Sequence, residues 1–214
     1  MVRAGMVLVC SCLLGFAPAS AQELQTIQLP PPQTEIDFPL MRALQLRQST
    51  RSFADRPLEL QQLSNLLWAA DGINRPESGK RTAPSAMSWH EIDIYVALPE
   101  AAYRYDPQAH GLLPVAAGDL RALTGGQAFV AGAPVNLVYV ADAARQGNAS
   151  DQDRVQFSFA NTGFISQNVY LYCASRGLAV VVRGMVDRPP LARALKLRPE
   201  QRIILAQTVG YPNQ

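Results

Sequence analysis

The sequence predicts an α+β domain with helices layered on a sheet, and three observations lead there. Helix-period and strand-period segments are interspersed without strict alternation and without internal repeats, which favours a layered α+β arrangement over a doubly wound sheet. The 214 residues are 48% hydrophobic, enough for one domain with a substantial core and too apolar for intrinsic disorder. No GxGxxG, P-loop or GxSxG motif occurs, so the usual dinucleotide, triphosphate and serine-hydrolase signatures are missing. Nineteen basic against seventeen acidic residues leave no electrostatic footprint for nucleic acid or an anionic membrane. Lys80 and Lys196 are the only lysines, so an anion site here would use arginine.

Residues 1–21 read as a secretory signal peptide. Arg3 gives a basic start, residues 6–16 form an apolar run, and Ala19-Ser20-Ala21 suits cleavage. That run is shorter than the ~20 apolar residues a bilayer span needs, so no membrane insertion is expected after cleavage. Cys10 and Cys12 would leave with it, and Cys173 alone would remain, without a disulfide or cysteine metal cluster. His90 and His110 are too few and too isolated for a zinc site. An exported protein, periplasmic or extracellular, is expected.

Residues 22–39 carry Pro30-Pro31-Pro32 and read as an extended arm or linker before a domain at 40–214. Residues 40–46 suit a helix. A proline-initiated helix follows Asp55, with Leu60, Leu63, Leu66 and Leu67 on one face and Gly72 as its stop. Residues 74–88 read as a loop. Ile92, Ile94, Val96 and Leu98 alternate with Asp93, Tyr95 and Ala97 as a half-buried strand. A hairpin turning at 107–111, a short helix at 119–123 and a core strand at 135–140 come next. Residues 155–175 carry no charge, and their apolar positions spread around most of a helix, which must then be buried on most sides. Gln156, Asn161, Thr162, Gln167 and Asn168 argue against lipid. The helix suits either the centre of a monomer's core or a face shared with a second subunit. Buried strands at 178–182 and 203–209 flank a helix at 189–195.

Two clusters could carry chemistry. Arg47, Ser49 and Arg51 alternate, so in an extended chain two guanidiniums and a hydroxyl converge on one anion, unless the stretch is simply solvated. Pro84, Ser85, Ala86 and Ser88 lead into a strand, and small residues there either admit a flat ligand or form a plain loop.

RQSTRSF (47–53), RTAPSA (81–86), GGQAFVAGAPVNLVYVAD (125–142), NTGFISQNVYLYCASRGLAVVVRG (161–184) and VGYP (209–212) stand in an order and spacing that resemble the FMN-dependent nitroreductase superfamily. The RTAPSA form is similar to the branch of the thiazole/oxazole-forming dehydrogenases. The resemblance covers about residues 40–212. It implies a three-layer fold with a central mixed sheet flanked by helices, and an intertwined homodimer with FMN at the interface, residues 155–175 being the dimer helix. By motif, Arg47 and Ser49 would hold the FMN phosphate and Arg51 the N1–O2 edge. Pro84, Ser85, Ala86 and Ser88 would lie against the isoalloxazine, and Gln127 would bond its pyrimidine side. Arg183 and Gly184 would offer backbone N–H groups to N5 and O4. The sequence departs from the family's pattern at Ser88 and His90, and it is expected to lack a basic clasp beyond the last strand. The expected function is electron transfer through flavin N5 between a donor and a small organic acceptor of nitroaromatic or quinone type. No catalytic side chain is implied. The alternatives are a substrate-oxidising flavin dehydrogenase and a non-catalytic flavin-binding or structural protein.

Overall fold

The computed structural model describes Met1, residues 24–35 and residues 37–213. The expected signal peptide lies outside the described residues, Met1 apart. The elements in chain order are β1 (Ile27–Gln28), α1 (Leu40–Leu46), α2 (Leu60–Asp71), β2 (Ile73–Arg75) and β3 (Lys80–Arg81). Then come β4 (Ile92–Ala97), β5 (Ala101–Asp106), β6 (Gly111–Ala117), α3 (Phe129–Gly132) and β7 (Val135–Asp142). The last are α4 (Asp151–Arg176), β8 (Ala179–Arg183), α5 (Arg188–Ala194) and β9 (Gln201–Gly210). No helix among the described residues is long and apolar enough to cross a membrane.

Seven strands form one sheet in the order β1-β6-β5-β4-β7-β9-β8. Every ladder in it is antiparallel, which corrects the expected mixed sheet. The reason lies in the last connection. The long crossover through α4 does make β8 run parallel to β7, but β9 returns through α5 and inserts between them, antiparallel to both. Helices α2 and α4 cover one face over the main core of Leu66, Leu67, Ile94, Leu137, Tyr139 and Val169. On the other face α5 closes a smaller cluster around Val138, Val140, Leu191 and Ala206.

This second layer changes the reading of β4, whose six residues are all buried rather than half of them. Ile92, Ile94 and Val96 enter the main core while Tyr95 enters the smaller one. Asp93 is tolerated there because Arg145 pairs with it at 2.5 Å and Arg104 at 3.7 Å. The loop expected at 74–88 holds the β2–β3 hairpin and a 3-10 turn at Ala86–Ser88. The short helix at 119–123 is a 3-10 turn over Arg121–Thr124. Helix α2 starts at Leu60 rather than at Pro57, and Leu60 remains exposed.

Helix α4 is capped at both ends. Ser150 Oγ accepts the Asp153 N–H at 3.1 Å, and Asp151 and Asp153 sit at the positive end of the helix dipole. Gly177 closes the helix in the left-handed region, at φ 65°. Its burial is one-sided, against expectation. Ser158, Asn161, Thr162, Ile165, Ser166, Val169, Tyr170, Tyr172 and Cys173 face inward, while Val155, Phe159 and Phe164 are 38–47% exposed. Small and polar residues let α4 sit close to the sheet, so the large apolar ones are left outside.

Candidate functional site

The expected site residues fall into two groups, each anchored to α4. The first surrounds Tyr170 and the end of β8. Arg47 ends α1, and its Cζ lies 5.5 Å from the Tyr170 ring centroid. Ser49 Oγ stands 2.8 Å from Tyr170 OH, which itself accepts the Val182 N–H at 2.9 Å. Tyr170 OH thus ties Ser49 to the β8 backbone, and either hydroxyl can be the donor between them. Thr50 N donates to Val180 O at 2.9 Å, which fixes the segment along the outer edge of β8. Gln48 and Thr50 line a groove of about 190 Å³ on one side of the segment. The alternate residues Arg47 and Ser49 are not on that side, and the alternation read from the sequence places Arg51 with them. Arg51 is exposed and makes no ion pair among the described residues.

The pleat of β8 corrects one assignment. Val182 N–H points outward to Tyr170, so Arg183 N–H points inward to the ladder, where Arg183 faces Ala206. The next outward donor is Gly184, which is exposed. Arg183 instead buries its side chain on the opposite face, at 5% exposure. Its guanidinium donates to Thr124 O at 2.7 Å, Thr208 Oγ1 at 3.1 Å and Asn136 Oδ1 at 3.1 Å, and reaches Thr124 Oγ1 at 3.4 Å. Burial pulls its pKa down to about 10, and no carboxylate among the described residues pairs with it. Close to it, Gln127 Oε1 is buried without a hydrogen-bond partner among the described residues.

The second group surrounds Asn161. Ser85 Oγ accepts the His90 N–H at 2.9 Å and reaches Glu91 Oε2 at 3.3 Å. Asn161 accepts from Ala86 N at 3.2 Å and donates to Glu91 Oε1 at 2.8 Å. Glu91 is fully buried, as the hub of this knot. Met87, Ser88 and His90 all take positive φ, at 52°, 55° and 47°. Three left-handed non-glycine residues in four positions store strain that the Glu91–Asn161 knot holds in place. Pro84, Met87 and Ser88 are exposed on this loop. Behind it Asp71 pairs with Arg81, yet burial raises the Asp71 carboxyl to about 7 against the pull of that arginine.

Asn161 and Tyr170 are nine residues apart on one helix, a rise of about 14 Å. The chain thus keeps the loop group and the arginine group at separate stations, with Gly163, Phe164 and Gln167 exposed between them. Tyr170, Asn161 and Glu91 carry the geometry, although no role for them was readable. Their partners are distant in sequence, 121 residues for Ser49–Tyr170 and 70 for Glu91–Asn161.

The residues fit a flavin mononucleotide. Gln127 Oε1 is an orphaned buried acceptor, matched by the pyrimidine N–H of a flavin, and Arg47 with Ser49 supplies donors for a phosphate.

Fold and donors together define a class: an α+β domain with an arginine group at one station of a long, half-exposed helix. The chain belongs to the nitroreductase family, whose sequence model matches residues 44–211, and it is therefore an oxidoreductase. A provisionally named nitroreductase from Methanocaldococcus jannaschii is 29% identical over 180 residues, covering 77% of this chain and 90% of the relative. The crystal structure of a provisionally named nitroreductase from Ralstonia eutropha JMP134 is 47% identical, with a TM-score of 0.86 over 92% of this chain and 94% of that one. Fold alone is shared with a chain of the Escherichia coli microcin synthetase McbBCD complex. That match is 20% identical, with a TM-score of 0.68 over 91% of this chain and 80% of the other. The same holds for the NADPH:FMN oxidoreductase of Vibrio harveyi, 18% identical, with a TM-score of 0.61 over 82% and 69%.

Proposed function

We propose that the protein is an FMN-dependent oxidoreductase acting as a homodimer on a small organic acceptor of nitroaromatic or quinone type. The observation that carries this reading is the separation of the two residue groups along α4. Two copies of α4 crossing antiparallel, with the midpoint between Asn161 and Tyr170 on the two-fold axis, would bring the Ser85 loop of one subunit opposite the arginine group of the other. That crossing would also cover Phe159 and Phe164. Each of two flavins would then lie between subunits.

When bound, FMN would supply the electron-transfer chemistry at its N5 position. Arg47 and Ser49 would hold the phosphate, and Arg51 would place a charge at the N1–O2 edge. Gln127 Oε1 would accept the pyrimidine N–H, and Gly184 would offer its outward N–H. Pro84, Ser85, Ala86 and Ser88 from the other subunit would wall the ring, excluding water and orienting the acceptor. Absorbance of the purified protein tests the reading. A flavin band, or saturable binding of added FMN near one per subunit, is expected; a colourless protein that rejects FMN would overturn it.

The signal peptide read from the sequence makes this an exported enzyme in the same proposal. Mass spectrometry of protein recovered from outside the cytoplasm should give a chain starting at Gln22. A chain starting at Met1 in the cytoplasm would refute export.

A further inference from the structure

Burying a guanidinium without a carboxylate is costly, and folds seldom retain one that serves packing alone. Arg183 is such a group. Its partners, Thr124, Asn136 and Thr208, are neutral, so they solvate the charge without cancelling it. The chain makes room for it: a Cβ on Gly125 would stand 1.9 Å from Arg183 Nη1. The same position would be 2.9 Å from Gln127 Oε1, so the orphaned acceptor and the unneutralised cation lie within about 5 Å of each other. Gly184, the outward donor of the strand, is the next residue in the chain. Two features thus meet at one spot, an unpaired acceptor and an uncompensated positive charge, one residue before the strand's outward N–H.

We infer that the Arg183 side chain is a positioning residue of the flavin site, acting in two ways. It holds the Thr124–Gln127 turn so that Gln127 Oε1 faces the ligand. Its charge, shielded from solvent, also favours the reduced cofactor over the oxidised one. Oxidised flavin taking up two electrons and one proton becomes more negative by one charge, and a fixed buried cation stabilises that form selectively. This inference rests on the FMN reading given above.

Arg183→Lys and Arg183→Met differ mainly in charge, neither having the guanidinium fork. FMN titration of the wild-type chain comes first, since absence of any binding would refute the FMN reading itself. Redox titration with dithionite against a reference dye then gives the affinity for reduced relative to oxidised FMN. Oxidised FMN should bind the two variants within about threefold of each other. Reduced FMN should bind Arg183→Met at least tenfold less tightly than Arg183→Lys, equivalent to about 30 mV for a two-electron couple. Equal ratios in the two variants would overturn the charge role. If Arg183→Met does not fold, Asn136→Asp sets a carboxylate against the guanidinium in place. It must lower the reduced-to-oxidised affinity ratio in the same direction, and an unmoved ratio refutes the inference. Unaltered oxidised FMN affinity in both Arg183 variants would overturn the turn-holding role.

Discussion

The two stations on α4 differ in how they treat charge. Around Asn161, carboxylates are buried and tied: Glu91 to Ser85 and Asn161, and behind them Asp71 to Arg81. Around Tyr170, cations dominate and lack acidic partners among the described residues: Arg47 leans on an aromatic ring, Arg51 faces solvent and Arg183 is buried among neutral acceptors. The first station is tightly tied, Thr162 Oγ1 apart, and strained; the second is relaxed and holds positive charge without a counter-charge. A region whose polar groups answer one another serves as a wall, while one with spare donors and positive charge awaits an anion.

Five experiments break or sharpen that contrast, from the largest effect to the smallest. Phe164→Glu puts a charge on the exposed stripe between the stations. An unpaired buried charge costs several kcal/mol, so the proposed dimer should dissociate. Size-exclusion chromatography with light scattering checks this, and a stable dimer would place the interface elsewhere.

The Asp71 carboxyl titrates near 7 in the folded chain against about 3.8 unfolded. Between those values the unfolded chain has released a proton that the native one still holds. Stability from this group therefore falls as pH rises from 4 to 7, by at most about 4 kcal/mol, and is flat above. Asp71→Asn should flatten urea midpoints measured across that range.

Glu91→Ala removes the hub of the wall and leaves Asn161 and Ser85 without their acceptor. A loss of about 3 kcal/mol is expected in chemical denaturation. A loss under 0.5 kcal/mol would mean that the strained loop holds itself.

At the other station, Arg47→Ala deletes one charge-assisted contact worth about 1.5–3 kcal/mol. FMN affinity should fall about tenfold or more, and an unchanged dissociation constant would refute the phosphate assignment. Arg51→Gln should cost about 1.4 kcal/mol of preference for reduced flavin, a potential about 30 mV lower, with oxidised binding changed far less. A phosphate ligand would show the reverse pattern, and a surface cation neither effect.

Much of the scaffold was legible because it is encoded locally. The α1 helix, the β5–β6 hairpin and the α5–β9 pair announce themselves by periodicity, turn residues or proline, and they stand within a residue or two of expectation. The sheet's internal order was not legible, because placing β9 between β7 and β8 is a matter of long-range packing. The exposed side of α4 escaped for a different reason. Its buried face is built from Ser158, Asn161, Thr162 and Ser166, so hydrophobicity points the wrong way around that helix. Among the site residues, the alternation of Arg47, Ser49 and Arg51 was visible in the sequence. The inward turn of the Arg183 N–H depends on a ladder register that no local pattern carries.

The arm before the domain settles a problem at the far edge of the sheet. Without it, β6 would offer an open row of backbone donors and acceptors on which any extended chain could grow. Strand β1 covers the start of that row with only two residues, Ile27 opposite Leu112 and Gln28 opposite Gly111. Leu29 N–H then bonds His110 O at 3.2 Å, and Ser64 Oγ reaches both Pro30 O at 2.6 Å and His110 Nε2 at 2.8 Å, pinning the strip down. Directly after it, Pro30, Pro31 and Pro32 have no N–H to offer, so the strip cannot seed another strand in turn. The strip thus acts as a terminator at the start of that row, on the side of the sheet away from α4.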